Sequence, residues 1–87
     1  MARYRVVIRP SAKKELKAVG QKKDRQRIIL RIQSLAENLR PFGCEKLSGH
    51  FDRYRIREGN YRIVYSIDDQ DFLVDVVKIG HRKDVYR

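Results

Sequence analysis

Residues 53–67, Arg53-Tyr54-Arg55-Ile56-Arg57-Glu58-Gly59-Asn60-Tyr61-Arg62-Ile63-Val64-Tyr65-Ser66-Ile67, read as two strands and the turn between them. Apolar and polar side chains alternate on both sides of Gly59-Asn60, the period of two of a half-buried strand, and a two-residue Gly-Asn turn is a good hairpin signal. A turn of that length fixes the register: Ile56 faces Ile63 and Tyr54 faces Tyr65, which makes one face of the hairpin wholly apolar. The other face then carries Arg53, Arg55, Arg57 and Arg62, with Arg57 directly across from Arg62.

Further elements extend outward from this hairpin. Downstream, Phe72 to Ile79 is apolar on both faces apart from Asp75, as expected of a strand central in a sheet or covered on both sides. Upstream, residues 44–47 form a candidate short strand, followed by a loop through Ser48, Gly49 and His50. At the start of the chain Tyr4, Val6 and Ile8 alternate with Arg3, Arg5, Val7 and Arg9 until Pro10 stops the strand. Ser11 is placed to cap a short helix marked by Ala12, Leu16 and Val19 and closed by Gly20. Ile28, Ile32, Leu35 and Leu39 then form the apolar stripe of a longer helix, ended by Pro41 and Gly43. The expected fold is α+β, in the order β-α-α-β-β-β: a two-helix hairpin packed on one side of a small antiparallel sheet. Residues 1–87 make one domain, too short for a second core.

Composition limits the partners. The chain carries 21 Lys and Arg against 11 Asp and Glu, a net charge of +10. Residues 63–77 hold Asp68, Asp69, Asp71 and Asp75 and no Lys or Arg, so the basic excess lies elsewhere. A surface of this kind attracts polyanions, nucleic acid above all. A membrane is the weaker partner, because the basic helices lack Trp or Phe anchors and no apolar tract approaches the ~18 residues of a span. Met1 to Pro10 shows no signal-peptide core, so a cytoplasmic location is expected. Cys44 stands alone and no Cys/His cluster has zinc spacing, so neither an internal disulfide nor a metal or other cofactor is expected.

Like charges opposed on a sheet destabilise it by a few tenths to ~1 kcal/mol per pair. The Arg57–Arg62 pair is therefore intelligible if the face receives an anion, since planar guanidinium forks match phosphate oxygens. The alternative is that these arginines only discourage edge-to-edge aggregation, which suits any one of them better than the opposed pair. Tyr54, Tyr61 and Tyr65 share the apolar rhythm of their strands and are read as core aromatics. Past the last strand, Gly80-His81-Arg82-Lys83-Asp84-Val85-Tyr86-Arg87 forms a second basic cluster, and Gly80 permits a sharp exit that could turn it over the arginine face.

The segments Lys46-Leu47-Ser48-Gly49, Tyr54-Arg55-Ile56-Arg57, Gly59-Asn60-Tyr61-Arg62-Ile63-Val64-Tyr65 and Gly80-His81-Arg82-Lys83-Asp84-Val85-Tyr86, in that order, resemble the RelE branch of the RelE/ParE toxin superfamily. The resemblance covers nearly the whole chain. It implies a twisted antiparallel sheet flanked by the helical hairpin, and a groove on the other face that cuts messenger RNA on the ribosome. Carried over by position, the family's functional residues fall on Arg55 and Arg57, Arg62, Arg82 and Tyr86. The first pair is lysine in the well-studied pattern, and arginine holds its proton too tightly to take over a lysine's part in deprotonating the attacking hydroxyl.

On this reading the RNA supplies its own nucleophile, the 2′-hydroxyl, and the protein spreads the charge of the transition state. Arg62, Arg57 and Arg82 are expected to do so, Tyr86 to stack on or position a base or ribose, and Arg53, Lys83 and Arg87 to bind RNA. His81, whose side-chain type titrates at about pH 6.5, is the expected acid or base. The implied partners are the ribosome with its messenger and a cognate acidic antitoxin of RelB type, in a hetero-oligomer. Two rivals share the fold: a ParE-like toxin acting on DNA gyrase, and a non-catalytic RNA-binding module.

Overall fold

The hairpin forms where its turn residues put it, with β3 (Arg53–Glu58) and β4 (Tyr61–Asp68) joined through Gly59 and Asn60 in a computed structural model that describes residues 3–49 and 52–85. His50, Tyr86 and Arg87 lie outside the described residues. Gly59 takes φ +59°, the positive value needed at the first central position of a type II′ turn and open to a residue without Cβ. The pairing follows the expected register: Tyr54 opposite Tyr65, Ile56 opposite Ile63, Arg57 opposite Arg62.

Around this hairpin the sheet has five strands in the order β1-β5-β4-β3-β2, where β1 is Arg5–Ile8, β2 is Glu45–Lys46 and β5 is Leu73–His81. It is mixed rather than antiparallel: β1 runs parallel to β5, with Val6 beside Val74 and Ile8 beside Val76. The expectation of a wholly antiparallel sheet is corrected at this pair. Alternation tells which face a strand buries, whereas its neighbour is chosen by where the two intervening helices return the chain.

β5 lies between β1 and β4, which suits its apolar run. Tyr65 pairs with Val76 but Val64 with Lys78, so Val77 is an extra residue that bulges the strand. The bulge shifts the alternation by one and returns Ile79 to the buried cluster with Val74 and Val76. Two apolar faces in the sequence thus become one apolar face with a step in it.

The helices α1 (Pro10–Lys17) and α2 (Lys22–Ser34) bury Ala12, Ile28 and Ile32 against Tyr54, Ile56, Ile63, Tyr65 and Ile67 of the hairpin. Pro10 opens α1 itself, its fixed φ and missing N–H suiting the first turn, so Ser11 lies inside the helix and the Arg9 cap has no side-chain hydrogen bond. The helix stops at Lys17, three residues before Gly20. α2 ends at Ser34, well before Pro41, as backbone bonds from Leu35 to Ile32 and from Ala36 to Gln33 tighten its last turn. Leu39 therefore lies in the connector, where its carbonyl accepts the Tyr65 hydroxyl at 2.8 Å. Burial pushes the Tyr65 phenol up from its ordinary range.

A short helix, α3 (Arg82–Val85), follows β5. Among the described residues no helix is long and apolar enough to cross a membrane.

Candidate functional site

Alternation sends every second residue of the hairpin away from the helices, and at its turn end these residues meet the α2 side of the molecule in a groove of about 500 Å³. It is lined by Arg55, Arg57 and Arg62 of the hairpin, Glu45 of β2, Arg31 of α2 and Phe42. Arg57 Nε donates to the Gly59 carbonyl at 3.3 Å and Arg62 Nη1 to the Tyr61 carbonyl at 3.1 Å. Both guanidinium groups are thus tethered to the turn while keeping most of their five donors for a ligand. On its other side Arg62 faces Gly80 of β5, which puts no side chain beside it.

Arg55 is held differently. Its Nη2 lies 2.9 Å from Glu45 Oε2, across the pairing that joins β2 to β3. The Arg55 side chain is only 14% exposed and that of Glu45 is 65% exposed, so the arginine is the anchored partner, and both residues line the groove. Glu45 was not singled out in the sequence; its placement depends on β2 pairing with β3, which no local pattern of residues 44–47 announces.

The predicted residues divide into those the groove gathers and those it does not. Arg55, Arg57 and Arg62 line it. Arg53 is opposite Ser66, four residues along the strand from Arg57 and so roughly 13 Å away. It does not line the groove. Arg82 is exposed at the start of α3, and its N–H donates to the Asn60 carbonyl at 2.8 Å, which ties its backbone to the same turn. Lys83 is also exposed. Tyr86 and Arg87 lie outside the described residues.

His81 requires a correction. It pairs with Tyr61, one residue out of phase with Arg62, and packs edge-on against that ring at 5.7 Å between centroids. It lines a separate depression with Glu15 and Lys78. Lys78 Nζ and the Ile79 N–H both bond to Glu15, so α1 covers the β5 edge there. The imidazole is therefore turned to the helix side of the sheet, away from the arginine groove, because alternation along β5 gives Gly80, not His81, the position beside Arg62.

At the opposite end of the sheet a second groove of about 510 Å³ is lined by Arg40, Asp52, Asp68, Asp69 and Asp75. The Asp69 carboxylate accepts the Tyr4 hydroxyl, which raises the phenol's pKa, and Arg40 donates to the Tyr54 hydroxyl at 3.0 Å, which raises its own. Among the described residues no group of three or more His, Cys, Asp or Glu is arranged to hold a metal ion.

A helical hairpin on a five-stranded mixed sheet is the frame of the RelE toxins. The archaeal RelE–RelB complex from Pyrococcus horikoshii matches with a TM-score of 0.82 and 30% identity, over 97% of this chain and 99% of that one. The intact E. coli RelBE toxin–antitoxin complex matches at 0.76 and 29% identity, over 90% of this chain and 95% of that one. The family model described as ParE toxin of type II toxin–antitoxin system, parDE, matches residues 6–86, and the chain belongs to that family, within the RelE/ParE superfamily. It is a RelE-like toxin of a type II system. Toxin RelG of Mycobacterium tuberculosis is 40% identical over 42 residues, 48% of this chain and 45% of that protein, so the chain spans less than half the length of this curated relative.

Proposed function

We propose that the protein is an endoribonuclease that cleaves messenger RNA on the ribosome without a metal ion. The observation that carries this reading is the Arg57–Arg62 pair, opposed on a rigid hairpin and lining one groove with a carboxylate, Glu45. In the reaction the Glu45 carboxylate accepts the proton of a 2′-hydroxyl as the 2′-oxygen attacks the adjacent phosphorus. The bond to the 5′-oxygen breaks, leaving a 2′,3′-cyclic phosphate on one fragment and a 5′-hydroxyl, protonated from water, on the other. Arg57 and Arg62 stabilise the charge that builds on the phosphorane oxygens, and donors fixed on a sheet need little reorganisation to do so. Arg55 orients Glu45, which supplies the base that arginines in place of lysines at 55 and 57 cannot be. Arg82, next to the turn, neutralises the leaving oxygen, and Tyr86 positions a base or ribose.

A site built of fixed arginines gains from a messenger already held in a reactive geometry, which supports ribosome dependence. The remaining positive surface would dock on ribosomal RNA, with a steep salt dependence. The solved relatives described as RelE–RelB complexes support an antitoxin as partner. An acidic segment of it would neutralise the arginine groove, while its apolar side chains cover Ile29 and Leu30, which α2 leaves exposed.

The family model carries the ParE name, so inhibition of DNA gyrase is the reading to test against. Purified protein added to programmed ribosomes should produce new 5′ ends inside the A-site codon, and a single 2′-deoxy substitution at the attacked nucleotide should abolish them. Intact messenger combined with inhibited gyrase supercoiling would replace this reading with the ParE one.

A further inference from the structure

Phe42 has no evident place in the fold. Its ring is fully exposed, the most exposed of the large apolar side chains described. Folding leaves such a surface in water only against the hydrophobic effect. The exposure is also built rather than incidental. The Cys44 N–H donates to the Pro41 carbonyl at 3.0 Å and Gly43 takes φ +88°, a type II turn that holds Phe42 at its tip. Pro41 is buried and Cys44 packs on the core, so both ends of the turn are fixed.

The tip borders the arginine groove, which Phe42 lines together with Arg31, Arg55, Arg57 and Arg62. Arg31 reaches it from α2, and its Nε is shielded from solvent with no hydrogen-bond partner among the described residues. Aromatic rings set beside guanidinium forks are the means by which proteins hold single-stranded RNA: the ring takes a base face and the forks take phosphates. An apolar protein segment would fit worse, because the ring's neighbours in the groove are mostly charged and the exposed Ile29 and Leu30 do not line it.

We propose that Phe42 is a stacking platform for a base of the bound RNA, and that Arg31 binds the phosphate of the same nucleotide. This rests on the RNA-cleaving reading above and extends the site beyond the arginines of the hairpin. Phe42 here is a positioning residue: it sets the register of the strand on Arg57 and Arg62 and takes no part in bond making.

The chain contains no tryptophan, so Phe42→Trp places a single indole reporter at the groove. The probe is a hexaribonucleotide methylated at every 2′-oxygen, which binds and cannot be cut. Phe42→Trp should keep wild-type affinity and lose indole fluorescence on binding, and Phe42→Ala should bind roughly tenfold more weakly. The salt slope of Phe42→Ala should match wild type, since no phosphate contact is removed, whereas Arg31→Ala should lower the slope by about one unit. Unquenched indole with wild-type affinity for Phe42→Ala, while Arg57→Ala still weakens binding, would overturn the platform and leave the RNA reading standing. Loss of antitoxin affinity with unchanged RNA affinity would also overturn it and assign the ring to the protein partner. A wild-type protein that binds neither the oligonucleotide nor programmed ribosomes would remove both readings together.

Discussion

The two ends of the sheet carry grooves of nearly equal size, about 510 and 500 Å³, and use charge in opposite ways. At the acidic end Asp68, Asp69 and one oxygen of Asp75 are engaged within the protein, while Asp75 Oδ1 is buried without a partner among the described residues. Asp69 takes the Tyr4 hydroxyl and lies 3.7 Å from Arg40, Asp75 Oδ2 accepts Arg9 Nε at 2.9 Å, and Asp68 Oδ1 accepts the N–H groups of Gln70 and Asp71. At the turn end Arg31, Arg55, Arg57 and Arg62 line one groove whose single carboxylate, Glu45, is engaged by Arg55, and Arg57 and Arg62 are set directly opposite each other. Charges that answer one another inside a small domain fasten its strands and turns. An unanswered surplus on a rigid sheet costs the fold something and marks where an external anion is received.

This contrast can be broken most severely at Glu45. Glu45→Gln keeps the shape and a hydrogen bond to Arg55 but cannot accept a proton, so single-turnover cleavage should fall by about 10² to 10⁴-fold. A rate within a factor of a few of wild type would remove Glu45 as the base. At the other end, Asp69→Asn should leave cleavage unchanged and lower the thermal midpoint by only a few degrees, since exposed pairs contribute about 1 kcal/mol or less. Cleavage lost at Asp69→Asn would show that the acidic groove also belongs to the site.

A smaller effect sharpens the claim of a cost to the fold. Arg57→Thr removes one of the two opposed charges and adds a good strand former, so the melting temperature should rise, by up to ~1 kcal/mol or a few degrees, while cleavage declines. A variant that melts lower than wild type would mean the arginine face supports the fold. The smallest effect concerns pH. Tyr65 titrates higher in the folded protein than its ordinary value of about 10, so its contribution is complete below that pH and is lost as pH rises through the folded value. Alkaline melting curves of Tyr65→Phe should accordingly be flatter above pH ~10 than those of wild type, offset by about 1 kcal/mol for the lost bond to Leu39.

The readable parts of this molecule were those set by neighbours in sequence. Gly59-Asn60 fixed a turn and through it each cross-strand partner of the hairpin, including the opposed arginines. The stripes of α1 and α2 gave the helices and the face they cover. What alternation does not encode is which strand lies beside which, and β1 accordingly joined β5 in parallel against expectation. The Val77 bulge was hidden for the same reason, since an extra residue in one strand is defined only by its partner. His81 was misplaced by proximity along the chain. Its register partner Tyr61, already read as a core aromatic, carries the signal that the imidazole belongs on the helix side. Arg31, Phe42 and Glu45 reach the groove from α2, a turn and a two-residue strand, and only tertiary packing brings them to Arg57 and Arg62.

The most direct test is the rate of messenger cleavage on programmed ribosomes by Arg62→Ala, measured beside Lys13→Ala, an exposed charge on α1 outside the groove. Arg62→Ala should lose about 10²-fold or more, on the scale of one transition-state donor, with an unchanged circular dichroism spectrum, and Lys13→Ala should cut at the wild-type rate. Equal rates for the two variants would contradict an arginine groove that grips the scissile phosphate.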